Sequence, residues 1–256
     1  MIKTLLVSMV LAATSPARAD YNSYVLQAIR GLPSGGGYAI NDEAGQRFIA
    51  AIRAHGEFSV EASQAKPSFC TSATYLVLAT VVEQLKREGK LASVPASALE
   101  LLSPPPTVQA LYKDDGVGMW GRWNANGPGT AKFFYDARLG TNFESLKQAR
   151  AGDFLKLWWT DEVGGQERGH SVVYLGSRRN ADSGATEIQY WSSNQGAGYT
   201  RKWIPLSQAK HLIFSRLEHP ENLRNLGSLP TTDGYLQSCQ SQPSSFAEAK
   251  AKSGVN

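Results

Sequence analysis

At Gly152 the chain changes the spacing of its apolar residues, and that change restricts the folds open to it. From Phe154 onward five runs are rich in Val, Ile, Tyr, Phe and Trp: Phe154–Trp159, Ser171–Ser177, Thr186–Trp191, Tyr199–Ile204 and Leu212–Leu217. Turn residues separate them, among them Gly164-Gly165, Asn180 to Gly184, and Gly196-Ala197-Gly198. Short β-branched and aromatic runs between such turns read as strands.

Before Gly152 the spacing is helical. Tyr24, Val25, Ala28 and Ile29 form a stripe that stops at Gly31 and Pro33. Asn41 suits the N-cap of a second helix, with Asp42 and Glu43 at its positive end. That helix carries Phe48, Ile49 and Ile52 on one face and is expected to end near Gly56. Residues 70–88 make the clearest helix. Tyr75, Leu76, Ala79, Val82 and Leu85 share a stripe, Lys86-Arg87 suit its negative end, and Gly89 closes it. Shorter helices are expected at Ala96–Leu102, at Ala131–Leu139 behind a Thr130 cap, and at Phe143–Arg150. Helices first and strands after them predict an α+β fold, with N-terminal helices packed on a roughly five-stranded antiparallel sheet. The tail, Ser238 to Asn256, is small and polar and is expected to fray.

The first residues read as a targeting segment. Lys3 is followed by the apolar run LLVSMVLAA and then by Pro16-Ala17-Arg18-Ala19, an A-x-A-like cleavage site. The run is far shorter than the roughly 20 residues of a membrane span. The expectation is a signal peptide over 1–19, a mature start near Asp20, and a periplasmic or secreted protein without a membrane span. The formal charge of +4 comes without basic blocks, so nucleic acid binding has no electrostatic footprint.

An exported chain meets an oxidising compartment, and this one has two cysteines, Cys70 and Cys239. A Cys70–Cys239 disulfide is therefore one reading. The other is chemical. Cys70 falls at the start of the strongest helix, where partial positive charge and unpaired N–H groups favour a thiolate. His170 opens a strand, Gly169-His170-Ser171-Val172-Val173-Tyr174-Leu175-Gly176, after a polar, Gly-rich stretch. A histidine there can take the thiol proton and return it to a leaving amine. Such a base needs an orienting partner. The next strand ends in Ser192-Ser193-Asn194, and alternation puts 190, 192 and 194 on one face. Asn194 is the first candidate and Ser192 the second. The Cys70 backbone N–H is the nearest oxyanion donor, and Gln64 is a side-chain candidate. Metal chemistry lacks a motif, since the chain has no HExxH, no CxxC and no His pair at helical spacing. No G-x-S-x-G is present for a serine hydrolase.

The order of these motifs resembles the NlpC/P60 and CHAP peptidoglycan hydrolases of the papain-like superfamily. The resemblance rests on Cys70 at a helix start, Gly152-Asp153 before the first core strand, the Gly169–Gly176 strand, and a polar strand end. Asn194 falls where CHAP-like domains carry a Glu-x-Asn ending, with Ser192 in the Glu place. Gln64 is spaced from Cys70 like the oxyanion glutamine of papain-like enzymes. The resemblance implies a papain-like domain over 61–220, flanked by a helical extension at 20–60 and a partly disordered one at 221–256. It implies amide hydrolysis through a thioester in peptidoglycan or its peptide fragments, with no cofactor. Trp120, Trp123 and Asn126 then become candidate groove residues. An exported effector with the same chemistry would have an inhibitor or immunity protein as partner. The rival is a non-catalytic wall-binding or interaction module with Cys70 locked to Cys239.

Overall fold

The computed structural model describes residues 21–53 and 57–255. The expected leader over 1–19 and the expected helix end at Gly56 lie outside the described residues. The chain opens with helix α1 (Asn22–Gly31), strand β1 (Gly35–Gly36) and helix α2 (Asp42–Ala51). Strands β2 (Ile52–Arg53) and β3 (Ser59–Val60) pair as a small ribbon before helix α3 (Cys70–Arg87). Helices α4 (Ala96–Glu100), α5 (Val108–Leu111), α6 (Gly118–Asn124) and α7 (Gly129–Asp136) follow. Then come β4 (Gly140–Phe143), β5 (Phe154–Trp158), β6 (Val163–Gly164) and β7 (Gly169–Arg179). Strands β8 (Thr186–Asn194), β9 (Gly198–Pro205) and β10 (His211–Leu217) complete the run. Helix α8 (Gly234–Cys239), strand β11 (Pro243–Ser244) and helix α9 (Phe246–Lys252) close the described chain.

The fold is α+β. Among the described residues a seven-stranded sheet runs in the order β1-β9-β8-β7-β5-β10-β4, with every neighbouring pair antiparallel. The five strands expected from the sequence form its centre. Two edge strands were not expected. β1 exists because two backbones meet at glycine: Gly36 pairs with Gly198, where a Cβ would stand 2.3 Å from the Gly35 carbonyl oxygen. β4 takes the place of the start of the helix expected at Phe143–Arg150. Phe143 lies opposite Phe214 of β10 and stacks on its ring at 5.3 Å, so burial on the sheet outweighs local helix preference. The remaining residues of that segment are turns.

Alternation along the strands splits the apolar side chains between two faces. Phe154, Val173 and Trp191 join the helices in the main core, while Leu155, Val172 and Tyr190 pack on the opposite face with Phe143, Ile204 and Phe214. Helix α3 lies against β7 and β8 with twelve of its eighteen residues buried, and Thr80, Glu83, Gln84 and Arg87 form its open stripe. Helix α2 has its Asn41 cap, whose Oδ1 accepts from Ala44 N, but it ends at Ala51 because Ile52 pairs with Val60 instead. Thr130 is not a cap. It lies inside α7, whose N-cap position is Pro128.

The tail does not fray. Ala249 and Val255 are buried against Trp158, Ile213 and Ala131, and Cys239 is buried as well. A charged anchor helps hold the chain before it. Arg122 is 1% exposed and reaches Asp136 at 2.9 Å, Asp233 at 3.0 Å and the Pro230 carbonyl at 2.7 Å. A buried guanidinium must have such partners, and residue 233 is one of them. Among the described residues no helix is long and apolar enough to cross a membrane.

A second anchor explains Gly152-Asp153. Gly152 sits at φ +99°, and a Cβ there would stand 2.7 Å from the Asn22 carbonyl oxygen. Fully buried, Asp153 accepts from Arg216 at 2.7 and 2.8 Å, from Asn22 Nδ2 at 2.8 Å and from Arg150 N at 2.7 Å. One carboxylate thus ties α1, the 150 loop and β10 to the head of β5. Asp153→Ala leaves Arg216 without its carboxylate. We expect a loss of about 3–5 kcal/mol in urea denaturation. An unchanged midpoint would show that the carboxylate does not hold these elements together.

Candidate active site

Cys70 is the first residue of α3, as its sequence position suggested. The turn is closed locally: Phe69 N donates to Ser72 Oγ at 3.1 Å, and Ser72 Oγ donates to the Phe69 carbonyl at 2.8 Å. The segment just upstream is stitched to the sheet. Ser193 Oγ donates to Ser68 O at 2.9 Å, Tyr199 OH donates to Ala65 O at 2.6 Å, and Ala39 N donates to Ser68 O at 3.0 Å. The helix start is therefore held against β8 and β9 rather than left to the helix alone.

Cys70 shares one cleft with His170, the second residue of β7. Burial by itself raises the thiol pKa. The charge and hydrogen bond of the His170 imidazole, the Ser171 backbone N–H and the Lys156 ammonium together outweigh burial and bring Cys70 from 9.0 down to about 6. Asn194 settles the histidine's orientation. Its Nδ2 donates to the carbonyls of Ser192 at 3.0 Å and Thr200 at 3.1 Å, so its Oδ1 faces the ring. His170 Nε2–H then donates to Asn194 Oδ1 at 3.3 Å, which leaves Nδ1 for the sulfur. Tyr190 packs edge-on against the ring at 5.5 Å, and Trp159 lies beside it at 6.2 Å.

The remaining expected residues divide. Ser192, the second candidate orienter, does not touch His170. Its hydroxyl donates to Ser171 O at 2.7 Å and binds β8 to β7. Gln64 is exposed at the end of a short helical turn, Ala62–Gln64, and is not part of the cleft wall, so it is not placed to hold an oxyanion. Trp120 and Trp123 are core residues, 3% and 1% exposed, with their indole N–H groups on Leu111 O and Thr74 Oγ1. Neither lines the groove, because aromatic packing around Tyr75 claims both rings. Asn126 does line it, with its amide donating to Gly165 O at 3.1 Å. The two cysteines are free thiols, so the disulfide reading is not met.

Sequence reasoning missed Tyr38. It follows β1, its main chain bridges Ser68, and it lines the cleft beside Cys70, where its hydroxyl and the thiol interact electrostatically. Burial and the thiolate push its pKa above the usual tyrosine value, so it stays a donor. Nothing local in Gly35-Gly36-Gly37-Tyr38 marks that role, which depends on a bridge to a residue thirty positions away. Tyr190 was missed also; burial and then the Cys70 charge push it up to about 12. Lys156 and Glu167 form a third unexpected feature, a buried pair at 2.6 Å in the cleft wall.

An open cleft has two lobes that share His170 and Tyr38, with Cys70 in the wall of the first. One lobe, about 280 Å³, is bounded by Tyr38, Ile40, Tyr112, Asp114 and Asn126. The other, about 410 Å³, is bounded by Trp159, Arg168, Tyr190, Gln195 and Lys202. An extended chain laid through both lobes would pass over the sulfur.

No family model, no curated protein and no solved structure matches the chain. The arrangement brings together a thiol of lowered pKa and, in the same cleft, an imidazole held on one nitrogen by an amide.

The rate of Cys70 alkylation by iodoacetamide should titrate with a midpoint near pH 6, because the depressed pKa leaves the thiolate dominant above that value. Cys239, buried and with its pKa raised by burial, should stay unlabelled in the native protein. Peptide-resolved mass spectrometry reads both sites. A Cys70 midpoint of about 8 or above would mark an ordinary thiol.

Proposed function

We propose that the protein is an exported cysteine hydrolase of papain-like character that cleaves amide bonds in the peptide stems of peptidoglycan. The observation that carries the reading is Cys70 at a helix start sharing one cleft with His170, whose ring is hydrogen-bonded to Asn194 Oδ1. The motif order in the sequence supports the choice of family and substrate. The leader-like residues 1–19 support export.

The thiolate of Cys70 attacks the carbonyl carbon of a bound amide. Negative charge moves to the carbonyl oxygen, where the Cys70 backbone N–H and the Tyr38 hydroxyl are the donors at hand. His170, as imidazolium, gives its proton to the amide nitrogen as the C–N bond breaks and the amine leaves. A thioester remains on Cys70. Water then attacks it while His170 takes the water's proton. The carboxylic acid leaves and the sulfur returns to its starting state. Asn194 keeps the ring in the tautomer and plane this cycle needs. The cycle uses no cofactor. Exposed Ile40 and the polar walls of the two lobes suit a peptide that mixes apolar and hydrogen-bonding groups.

Mass spectrometry of muropeptides after incubation with purified peptidoglycan tests the reading and names the bond cut. Cys70→Ala and His170→Ala should release no new fragments, whereas Cys239→Ala should match the unaltered protein. Intact activity in Cys70→Ala would end the assignment. Tyr38→Phe removes one oxyanion donor and should lower kcat by about 10²–10³-fold with little change in KM. An equal kcat would remove Tyr38 from the oxyanion site.

A further inference from the structure

Lys156 lies between Leu155 and Leu157 on β5, directly opposite Ser171 of β7. Its side chain is 10% exposed and that of Glu167 is 2% exposed. A buried ion pair seldom stabilises a fold more than apolar side chains of like size, because desolvation offsets the attraction. This pair has a direction. Oε1 of Glu167 receives Lys156 Nζ, while Oε2 accepts from Gly127 N and Gly164 N at 2.7 Å and from Trp158 Nε1 at 2.8 Å. Both glycines adjoin Cys239: a Cβ on Gly127 would stand 3.0 Å from its sulfur, and one on Gly164 3.4 Å from its Cβ. Both side chains line the wall shared with Cys70 and His170, and Lys156 stands level with Ser171, the residue after His170. Oε2 of Glu167 thus sits toward Cys239, with Lys156 on the β7 side of the pair.

We propose that the Lys156–Glu167 pair is a fixed dipole that tunes the nucleophile, with Lys156 as the positioning cation that keeps Cys70 ionised and Glu167 as the anchor that aims it. This rests on the reading of Cys70 as nucleophile. The electrostatics agree at both ends. At Cys70, burial raises the pKa and His170 lowers it most, with Lys156 adding to the lowering. At Cys239, burial raises the pKa, the Tyr235 hydroxyl lowers it, and Glu167 raises it further. Glu167 itself stays ionised: burial would raise its pKa, but the Lys156 charge and four donated hydrogen bonds hold it below the usual carboxylate range. The other titratable groups facing Cys70 are His170 on β7, Tyr38 beside β1 and Tyr190 on β8, with Tyr112 and Asp114 across the cleft between α5 and α6. Of these groups and Lys156, the lysine alone carries a positive charge that persists when His170 is neutral. It therefore favours the thiolate in both protonation states of the base.

The pH profile of Cys70 alkylation in the full chain tests the dipole without any substrate. Lys156→Met should raise the midpoint by about one pH unit, a roughly tenfold loss of rate on the acid side. Lys156→Arg should restore the midpoint, since it returns the charge and not the shape. Glu167→Gln removes the negative end and should move the midpoint down while making Cys239 react sooner. A folded Lys156→Met protein with the native midpoint would overturn the proposal. If Lys156→Met does not fold, Glu167→Gln decides: a midpoint that stays or rises overturns it equally. A midpoint of about 8 or above in the unaltered protein would instead defeat the nucleophile reading itself.

Discussion

Helix α3 buries twelve of its eighteen residues, and a helix so largely apolar must be enclosed on most sides by other parts of the chain. The sheet closes one side, and α1 and α6 close others. A stripe from Thr80 through Glu83 and Gln84 to Arg87 stays open, and so, in part, does Cys70 in the first turn. That turn's free N–H groups and partial positive charge reach the rim of the sheet, and the residue found there is Cys70. The helix does not set that position unaided. Ser68 is gripped by the main chain beside Tyr38 and by the Ser193 hydroxyl, and Ala65 by Tyr199. The sulfur consequently has a fixed relation to β7 and β8, the strands that carry His170 and Asn194.

Buried charge appears at three joints of the molecule. Asp153 with Arg216 locks the head of β5 to β10 and α1. Arg122 with Asp136 and Asp233 locks α6 and α7 to the C-terminal segment. Lys156 with Glu167 locks β5 to the loop behind the cleft. In the first two cases residues far apart in sequence must come together before either charge can leave water, so each pair rewards one arrangement of segments over others. The first two serve the scaffold. The third stands in the cleft wall, where the same physics acts on a thiol.

Much of the scaffold was legible in the sequence. The five central strands are visible because apolar side chains alternate along them, and α3 because its stripe repeats at helical spacing. Cys70, His170 and Asn194 were legible as a set, since each sits at an element's end where a side chain can project. The failures share a cause. Trp120 and Trp123 look like groove residues only if one cannot see the ring cluster around Tyr75 that buries them. Gln64 has a suggestive spacing, but the short helical turn that carries it leaves it on the surface. The polar tail looks frayed until Asp233, Ala249 and Val255 are seen to complete cores begun elsewhere.

By itself, the sequence determined the class of fold, the order of its main elements and the choice of Cys70 and His170 as the candidate thiol and imidazole. Those depend on local periodicity and on which residue types can do the chemistry, and both are written along the chain. Only the tertiary structure decided the edge strands, the choice of Asn194 over Ser192 and the place of Tyr38 in the cleft. These are relations between segments separated by tens of residues, and their geometry arises only when the segments exclude water from one another.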